Sequence, residues 1–461
     1  MPDIICISPI DGRELVRRQT ASASEIDAAL ARARKAQAEW AQVPVAERVA
    51  IVMKGIVALG AMSEEIVGEI ARQMGRPVRY GGEFRGVEER ASHMAAIAET
   101  ALAPILPQAK PGFRRAIKRE PLGLVLVIAP WNYPYLTAVN SIVPALIAGN
   151  AVILKHAAQT ILVGDRFQQA FDQAGLPQGL FTHLVLSHED TARMLGAGAV
   201  DQVNFTGSVA GGKAIEKAAA GSFTSLGLEL GGKDPAYVRP DADFTSTVEN
   251  LVDGAFYNSG QSCCGVERIY AHASIYERFV DAFADLTARY RLGDPRDSAT
   301  TLGPMAAVRF AELVRAHAAE AVAKGARPLI DRNRFSSDRA GTAFLAPQVL
   351  VGVDHTMRVM TEESFGPIVG IMKVSSDEEA LRLMNDSPYG LTASIWTEDA
   401  EAAERIGDGV ATGTVFMNRC DYIDPELAWT GVKDTGRGAG MGPFGFEAMT
   451  RLKSFHLRLE H

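Results

Sequence analysis

Two adjacent cysteines, Cys263 and Cys264, stand in the stretch NSGQSCCGVER (258–268) of a chain that holds only four cysteines in 461 residues. A thiol is a useful nucleophile only as thiolate, so it needs a base or a positive potential nearby. Taken alone the pair reads first as two small buried hydrophobes, and its spacing suits neither a disulfide framework nor a zinc knuckle. The neighbourhood changes that reading. LELGGKDP (228–235) sets Glu229 between leucines at the end of an apolar strand, where a buried carboxyl gains a raised pKa and can serve as a base. APWNYP (129–134) holds Asn132 between two prolines at the C-terminal end of another strand. An amide fixed there can donate to a developing oxyanion, although asparagines in proline-flanked turns are common.

Two further stretches suit a dinucleotide. NFTGSVAGGKAI (204–215) reads as a strand, a Gly-Ser turn and a helix start, so backbone N–H groups and the Ser208 hydroxyl can meet a pyrophosphate. It is not the G-x-G-x-x-G form, and Gly-Ser turns open many helices. ILKHA (153–157) puts Lys155 at a strand end, in reach of ribose hydroxyls.

The elements that must position these residues follow from hydropathy. Helical periodicity covers 24–42 and 45–72, with Ser24 and Pro44 as starts. From 121 the pattern changes: PLGLVLVIAP (121–130) and AVILK (151–155) are continuous apolar runs, as in parallel strands buried on both faces. Between and after them come helices 135–148 and 160–174, the apolar run LFTHLVL (180–186), a further helix, QVNF (202–205), a helix from Ser208 and SLGLEL (225–230). This alternation predicts an α/β fold with a doubly wound, Rossmann-like parallel sheet. A second α/β block follows Gly231-Gly232, with helices near 241–258, 274–291 and 305–323 and apolar runs at 367–374 and 413–417. FHLRLE (455–460) alternates strictly, as an edge strand does, completed by another subunit or by packing within the chain.

Composition bounds the rest. A formal net charge of −8 supplies no basic footprint, so no nucleic-acid partner is expected. The N-terminus lacks the pattern of a signal peptide. Residues 121–154 carry no charged side chain, yet Pro130, Pro134 and Pro144 and three asparagines interrupt them, so no membrane span is expected. Few cysteines and no leader predict a reducing, cytoplasmic location, and no metal is expected.

Taken together, P-W-N-Y-P (130–134), F-T-G-S (205–208), L-E-L-G-G-K (228–233), G-Q-S-C (260–263), E-S-F-G-P (363–367) and Asn418 after G-T-V-F-M resemble the aldehyde dehydrogenase superfamily, in order and spacing, from about residue 5 to 460. The resemblance implies a nucleophile at Cys263, with Cys264 lining or packing behind the pocket. It implies an oxyanion site at Asn132 and the Cys263 backbone N–H, and Glu229 as the base for the hydrolytic water. The cofactor, NAD or NADP, would meet Trp131, Lys155, Phe205, Gly207, Ser208, Glu363 and Phe365. Thr137, Asn140, Ser262, Cys264 and Tyr422 would line the aldehyde tunnel. The implied organisation is a Rossmann-like dinucleotide-binding domain (1–102 and 122–230), a catalytic α/β domain (231–446) and a small β oligomerisation element (103–121 and 447–461). That element would assemble a homodimer or homotetramer, with FHLRLE extending a neighbour's sheet.

Three departures from the family pattern bear on function. The glutamate often found three residues after the strand-end lysine is Ala158, which leaves Lys155 and His156 as positive or donor groups near the ribose. Gly438-Ala439-Gly440 replaces Gly-Arg-Glu, so a second acidic residue is missing and Glu229 would work with solvent alone. The mouth NRCDYIDPELAW (418–429) fits no single substrate; its Arg419 either pairs with a substrate carboxylate, as succinic semialdehyde would need, or is a solvated surface arginine. A CoA-acylating semialdehyde dehydrogenase is the rival enzyme class, and members of that branch usually lack the glutamate present here as Glu229.

Overall fold

The computed structural model describes residues 3–459. Met1, Pro2, Glu460 and His461 lie outside them, and with them the last residue of FHLRLE and the outer ends of the 1–102 and 447–461 segments. Two parallel sheets dominate. The first has six strands, in the order Gly436–Arg437, Ser225–Glu229, Gln202–Thr206, Leu124–Ala129, Ala151–His156, Phe181–His183. All are parallel except the two-residue Gly436–Arg437 edge, which returns from far down the chain to pair with Glu229 and Leu228. Leu124–Ala129 and Ala151–His156 are buried at every position, as their unbroken apolar runs predict. Strand order reverses between Leu124–Ala129 and Gln202–Thr206. A crevice therefore opens at their carboxyl ends, the usual ligand position in such a sheet.

The second sheet has seven strands, in the order Arg327–Pro328, Gln348–Val351, Ile368–Val374, Val266–His272, Asp234–Val238, Thr392–Trp396, Thr414–Met417, and only the first is antiparallel. Asp234–Val238 follows Ser225–Glu229 after four residues, so the two sheets are joined at the segment that carries Glu229.

Some elements differ from expectation. The run 45–72 is two helices, Val45–Gly60 and Ser63–Met74, parted at Ala61-Met62. The second ends at Gly75, whose φ of 87° is a left-handed cap. The strand expected over 121–130 is confined to Leu124–Ala129, because Pro121 belongs to an antiparallel ribbon, Phe113–Pro121 with Thr450–Arg458. Residues 455–458 of FHLRLE are thus paired within the chain, inside a longer strand. Only Phe181–His183 of LFTHLVL is extended. Helix Phe84–Ala101 and the hairpin Asp3–Ile7/Glu14–Gln19 complete the first half. No helix of the described residues is long and apolar enough to cross a membrane.

Candidate active site

Two strand carboxyl ends, the turn after Leu124–Ala129 and the end of Ser225–Glu229, meet the loop that leads into Val266–His272. In that loop Asn258 and Ser259 have φ of 52° and 58°, and Gly260 follows at 69°. Non-glycine residues seldom take this left-handed form, and its persistence requires the surroundings to impose it. They do. Buried Arg76 pairs with buried Glu83 at 2.7 Å, donates from Nε to Asn258 Oδ1 at 3.0 Å and reaches the Asn132 carbonyl. The other Glu83 oxygen accepts the N–H groups of Tyr135 and Leu136, at the positive end of helix Pro134–Ala148. One ion pair thus ties the Asn132 turn to the cysteine loop, and removing either partner of such a buried pair typically costs about 3–5 kcal/mol. Nothing in the local sequence marks Arg76 and Glu83; their partner Asn258 is 182 residues from Arg76.

Asn132 is buried, and its side-chain Nδ2 donates to the Gln261 carbonyl over 3.3 Å, a long bond that an oxyanion could displace. Cys263 is partly exposed, whereas Cys264 is buried. The Cys264 thiol donates to Asp421 Oδ1 at 2.9 Å, and Ser262 Oγ donates to the same oxygen at 2.8 Å. Its contact with the Cys263 sulfur, its burial and the Asp421 charge hold the Cys264 pKa well above the usual thiol value. Asp421, absent from the expected pocket, is itself raised by burial. Its φ of 50° in the mouth loop would have been the only local sign, and sequence does not display it.

Burial also raises Glu229, against a weaker pull from the Thr206 hydroxyl, which donates to Oε2 at 3.3 Å. The Gly207 N–H caps the Glu229 carbonyl at 3.0 Å. Beyond its carboxyl lies a cavity of about 410 Å³, bounded by Asn140, Asn204, Thr206 and Gly438-Ala439-Gly440. A side chain on Gly440 would begin 3.4 Å from Glu229 Oε1, so the glycines that replace Gly-Arg-Glu leave this space open to water. Gly232 packs on the Cys263 carbonyl so closely that no methyl group fits between them. Its N–H donates to Glu363 Oε1 at 2.9 Å. Burial and the nearby Glu267 push Glu363 up to about 8. Glu267, paired with buried Lys233, accepts the N–H groups of Ser364 and Phe365 and so fixes that loop. Phe365 meets Trp131 edge to face at 5.5 Å.

The remaining expected residues fall around this junction. Ser208 caps helix Val209–Ala219 by accepting the Gly211 N–H at 3.1 Å, and its hydroxyl stays exposed. The Phe205 ring fills the space beside Gly207 and Gly211. Lys155 is 8% exposed and, among the described residues, has no hydrogen-bond or ion-pair partner; burial lowers its pKa. A buried ammonium without an acceptor fits ribose hydroxyls, so the residues present suit a dinucleotide. His156 does not act as a positive group: it is buried, held by the Pro134 carbonyl and Thr160, and burial lowers its pKa to about 3. Ala158 is exposed just beyond. Thr137 turns its hydroxyl back to the Tyr133 carbonyl. Tyr422 stands at the rim, its hydroxyl on Glu89 and its ring under the exposed Arg419. Asn418 braces Thr397, donating to its carbonyl and accepting its N–H.

A two-sheet α/β protein with a thiol, an amide and a buried carboxyl at the sheet junction, and a dinucleotide crevice beside them, defines a nucleotide-dependent enzyme class. Residues 2–455 match the aldehyde dehydrogenase family model, and the chain belongs to that family. It is 32% identical over 450 residues to the Escherichia coli (strain K12) succinate semialdehyde dehydrogenase [NAD(P)+] Sad, covering 98% of this chain and 97% of that one. It is likewise 32% identical to geranial dehydrogenase of Castellaniella defragrans, over 94% of this chain and 91% of the other. The solved structure of Gox0499 superposes with a TM-score of 0.94 at 31% identity, covering 99% of this chain and all of that one. The protein is an NAD(P)-dependent aldehyde dehydrogenase.

Proposed function

We propose that Cys263 carries the reaction, with Asn132 and Glu229 as its partners. The Cys263 thiolate attacks the aldehyde carbon; a C–S bond forms and the carbonyl electrons move to oxygen. Asn132 Nδ2 and the Cys263 N–H stabilise that oxyanion, each such donor being worth about 10²–10³ in rate. Bound NAD or NADP would supply the acceptor for the hydride that leaves the same carbon, so that Cys263 is left holding a thioester. Glu229 then takes a proton from water, the water oxygen adds to the thioester carbon, and the C–S bond breaks to give the acid and free Cys263. The cavity behind Glu229 supplies solvent in place of a second acidic side chain.

The observation that carries this reading is the junction at Gly231-Gly232. It brings the strand end of Glu229, the Cys263 backbone and the Glu363 carboxyl into one packed unit. Lys155, Ser208, Phe205 and Gly207 would hold the adenosine ribose and pyrophosphate, and Glu363, Phe365 and Trp131 the nicotinamide side. Glu229 favours water over CoA as acyl acceptor. Relatives named for succinate semialdehyde favour an acidic aldehyde within this class. The same reading takes the enzyme as a cytoplasmic homodimer or homotetramer joined through the Phe113–Pro121/Thr450–Arg458 ribbon; its four cysteines are all free thiols.

Mass spectrometry of intact protein tests the sequence of steps. Glu229→Gln, given aldehyde and cofactor, should accumulate an acyl adduct on Cys263 while steady-state turnover falls by about 10²–10⁴. Cys263→Ala should show neither adduct nor turnover. Wild-type turnover in Glu229→Gln would remove Glu229 from the mechanism.

A further inference from the structure

Helix Phe84–Ala101 buries Val87, Arg90, Ala91, Met94 and Ala98 along one stripe. An arginine in that set is out of place, because charged residues are seldom buried without a partner. Arg90 is 9% exposed, and among the described residues no carboxylate lies within ion-pair distance of it. Its Nη1 donates to the Leu136 carbonyl at 2.9 Å and to Asn140 Oδ1 at 3.2 Å. Nε and Nη2 make no hydrogen bond among the described residues. Asn140 Nδ2, beside it, is sealed from solvent and also unpartnered. Two other buried arginines are better supplied, whereas Arg48, also buried, leaves its Nε without a partner among the described residues. Arg76 has Glu83 and Asn258, and Arg268 shares its nitrogens among the carbonyls of Lys233, Leu383, Met384 and Asp386 and the Tyr270 hydroxyl.

Asn140, which accepts from Arg90, lines the cavity beside Glu229. Burial lowers the Arg90 pKa, and the Glu83 and Glu229 carboxyls oppose that shift. Each acid already has its own donors: Glu83 has Arg76 and two backbone N–H groups, Glu229 has Thr206, and Asp421 in the mouth has Ser262 and Cys264. The Arg90 helix meets the mouth loop through Glu89 and Tyr422, and it packs directly on the helix bearing Asn140.

We propose that Arg90, held in place by Asn140, is the anchor for a carboxylate at the far end of the substrate, so that this enzyme selects aldehydes bearing a second, anionic group. The planar fork of a guanidinium suits a carboxylate with two parallel bonds, which a neutral aldehyde cannot accept. The assignment rests on Cys263 as the nucleophile, since that fixes which pocket Arg90 faces. It replaces Arg419 as the candidate for this role, because Arg419 lies outside on Tyr422.

The test compares kcat/KM for succinic semialdehyde with that for butanal, which has the same chain length without the charge. The wild type should prefer the acid. Arg90→Gln should reduce the acid-to-neutral ratio by on the order of 10²-fold, the scale of one charged hydrogen-bonded pair, and mainly through KM for the acid. Arg90→Lys should restore part of the ratio. Asn140→Asp, which leaves the guanidinium in place but gives it an internal counter-ion, should lower the ratio as well. Equal losses for both aldehydes in Arg90→Gln would make Arg90 an electrostatic support for the thiol and Glu229, and overturn the proposal. So would a wild type indifferent to the carboxylate. Failure of the mechanism itself reads differently: it is turnover surviving in Cys263→Ala, whatever the ratio.

Discussion

Cys263 and Cys264 are neighbours in sequence with opposite surroundings. Cys264 donates a hydrogen bond to Asp421 and lies among groups that disfavour a second negative charge, so it stays a thiol. Cys263 reaches the pocket without such a partner. Cys264→Ala should therefore retain most dehydrogenase activity, losing only packing and one hydrogen bond to Asp421. A loss comparable to that of Cys263→Ala, measured as steady-state kcat, would mean that the two sulfurs act together. Glu229 adds a pH signature. Its pKa is raised by burial, and it works as a base only when ionised. Activity should thus fall as pH drops through that raised value, above the usual carboxylate range, and this acid limb of kcat should vanish in Glu229→Gln. An acid limb unchanged by that substitution would assign the titration to another group.

Sequence displays an element when the element's own residues cause it. Leu124–Ala129 and Ala151–His156 are buried on both faces, so their hydropathy runs unbroken and the Rossmann-like sheet can be read directly. Glu229, Cys263 and Asn132 were legible because their types conflict with, or are held by, the apolar and glycine-rich segments around them. Arg76, Glu83 and Arg90 were not, since their meaning lies in partners far along the chain. Arg90 did leave a trace: it falls at i+3 from Val87 and i−4 from Met94 on an apolar stripe. His156 misleads for the same reason, as strand burial removes the charge its type suggests. The turn Ala158–Thr160 after Ala151–His156 carries the next prediction. A glutamate at 158 would accept from both ribose hydroxyls of NAD and face the 2′-phosphate of NADP, a repulsion of up to about 4 kcal/mol at 4 Å and an effective dielectric near 20. Even a third of that is about tenfold in binding. Alanine imposes neither term, and Lys155 remains the only cation of the trio Lys155, His156 and Ala158. NADP should therefore serve with a kcat/KM within about tenfold of that for NAD, and Ala158→Glu should shift preference toward NAD. Strict NAD dependence of the wild type would show that another group excludes the phosphate.

At the scale of the molecule, the ribbon of Phe113–Pro121 and Thr450–Arg458 is the feature least explained by one chain. It pairs nine residues in register, from Thr450 with Pro121 to Arg458 with Phe113, and stacks Phe113 on His456 at 4.9 Å. Asn150 fastens its base to the first sheet by donating to the Met449 carbonyl at 3.0 Å and accepting the Gly123 N–H at 2.8 Å. The outer strand is exposed over most of its length, with Leu452 at 63% and Leu459, just past its end, at 61%. A lone two-stranded ribbon is marginal in water, and an unpaired edge invites another strand. A second copy of this chain would cover both the edge and the leucines, and a two-fold contact would use each leucine twice. Burying one leucine is worth about 1.5–3 kcal/mol. Leu457, 38% exposed, lies two residues from Leu459, the spacing that puts strand side chains on one face, so Leu457→Glu with Leu459→Glu removes four such contributions from a dimer and adds charge repulsion. Sedimentation of the double variant should show a shift to monomer at concentrations where the wild type is assembled. The site residues lie at the strand ends and loops of the two sheets, not on the ribbon, so cofactor binding should survive the shift. An unchanged oligomer in the double variant would place the interface elsewhere, and a monomeric wild type would leave the ribbon's exposed edge to some other partner.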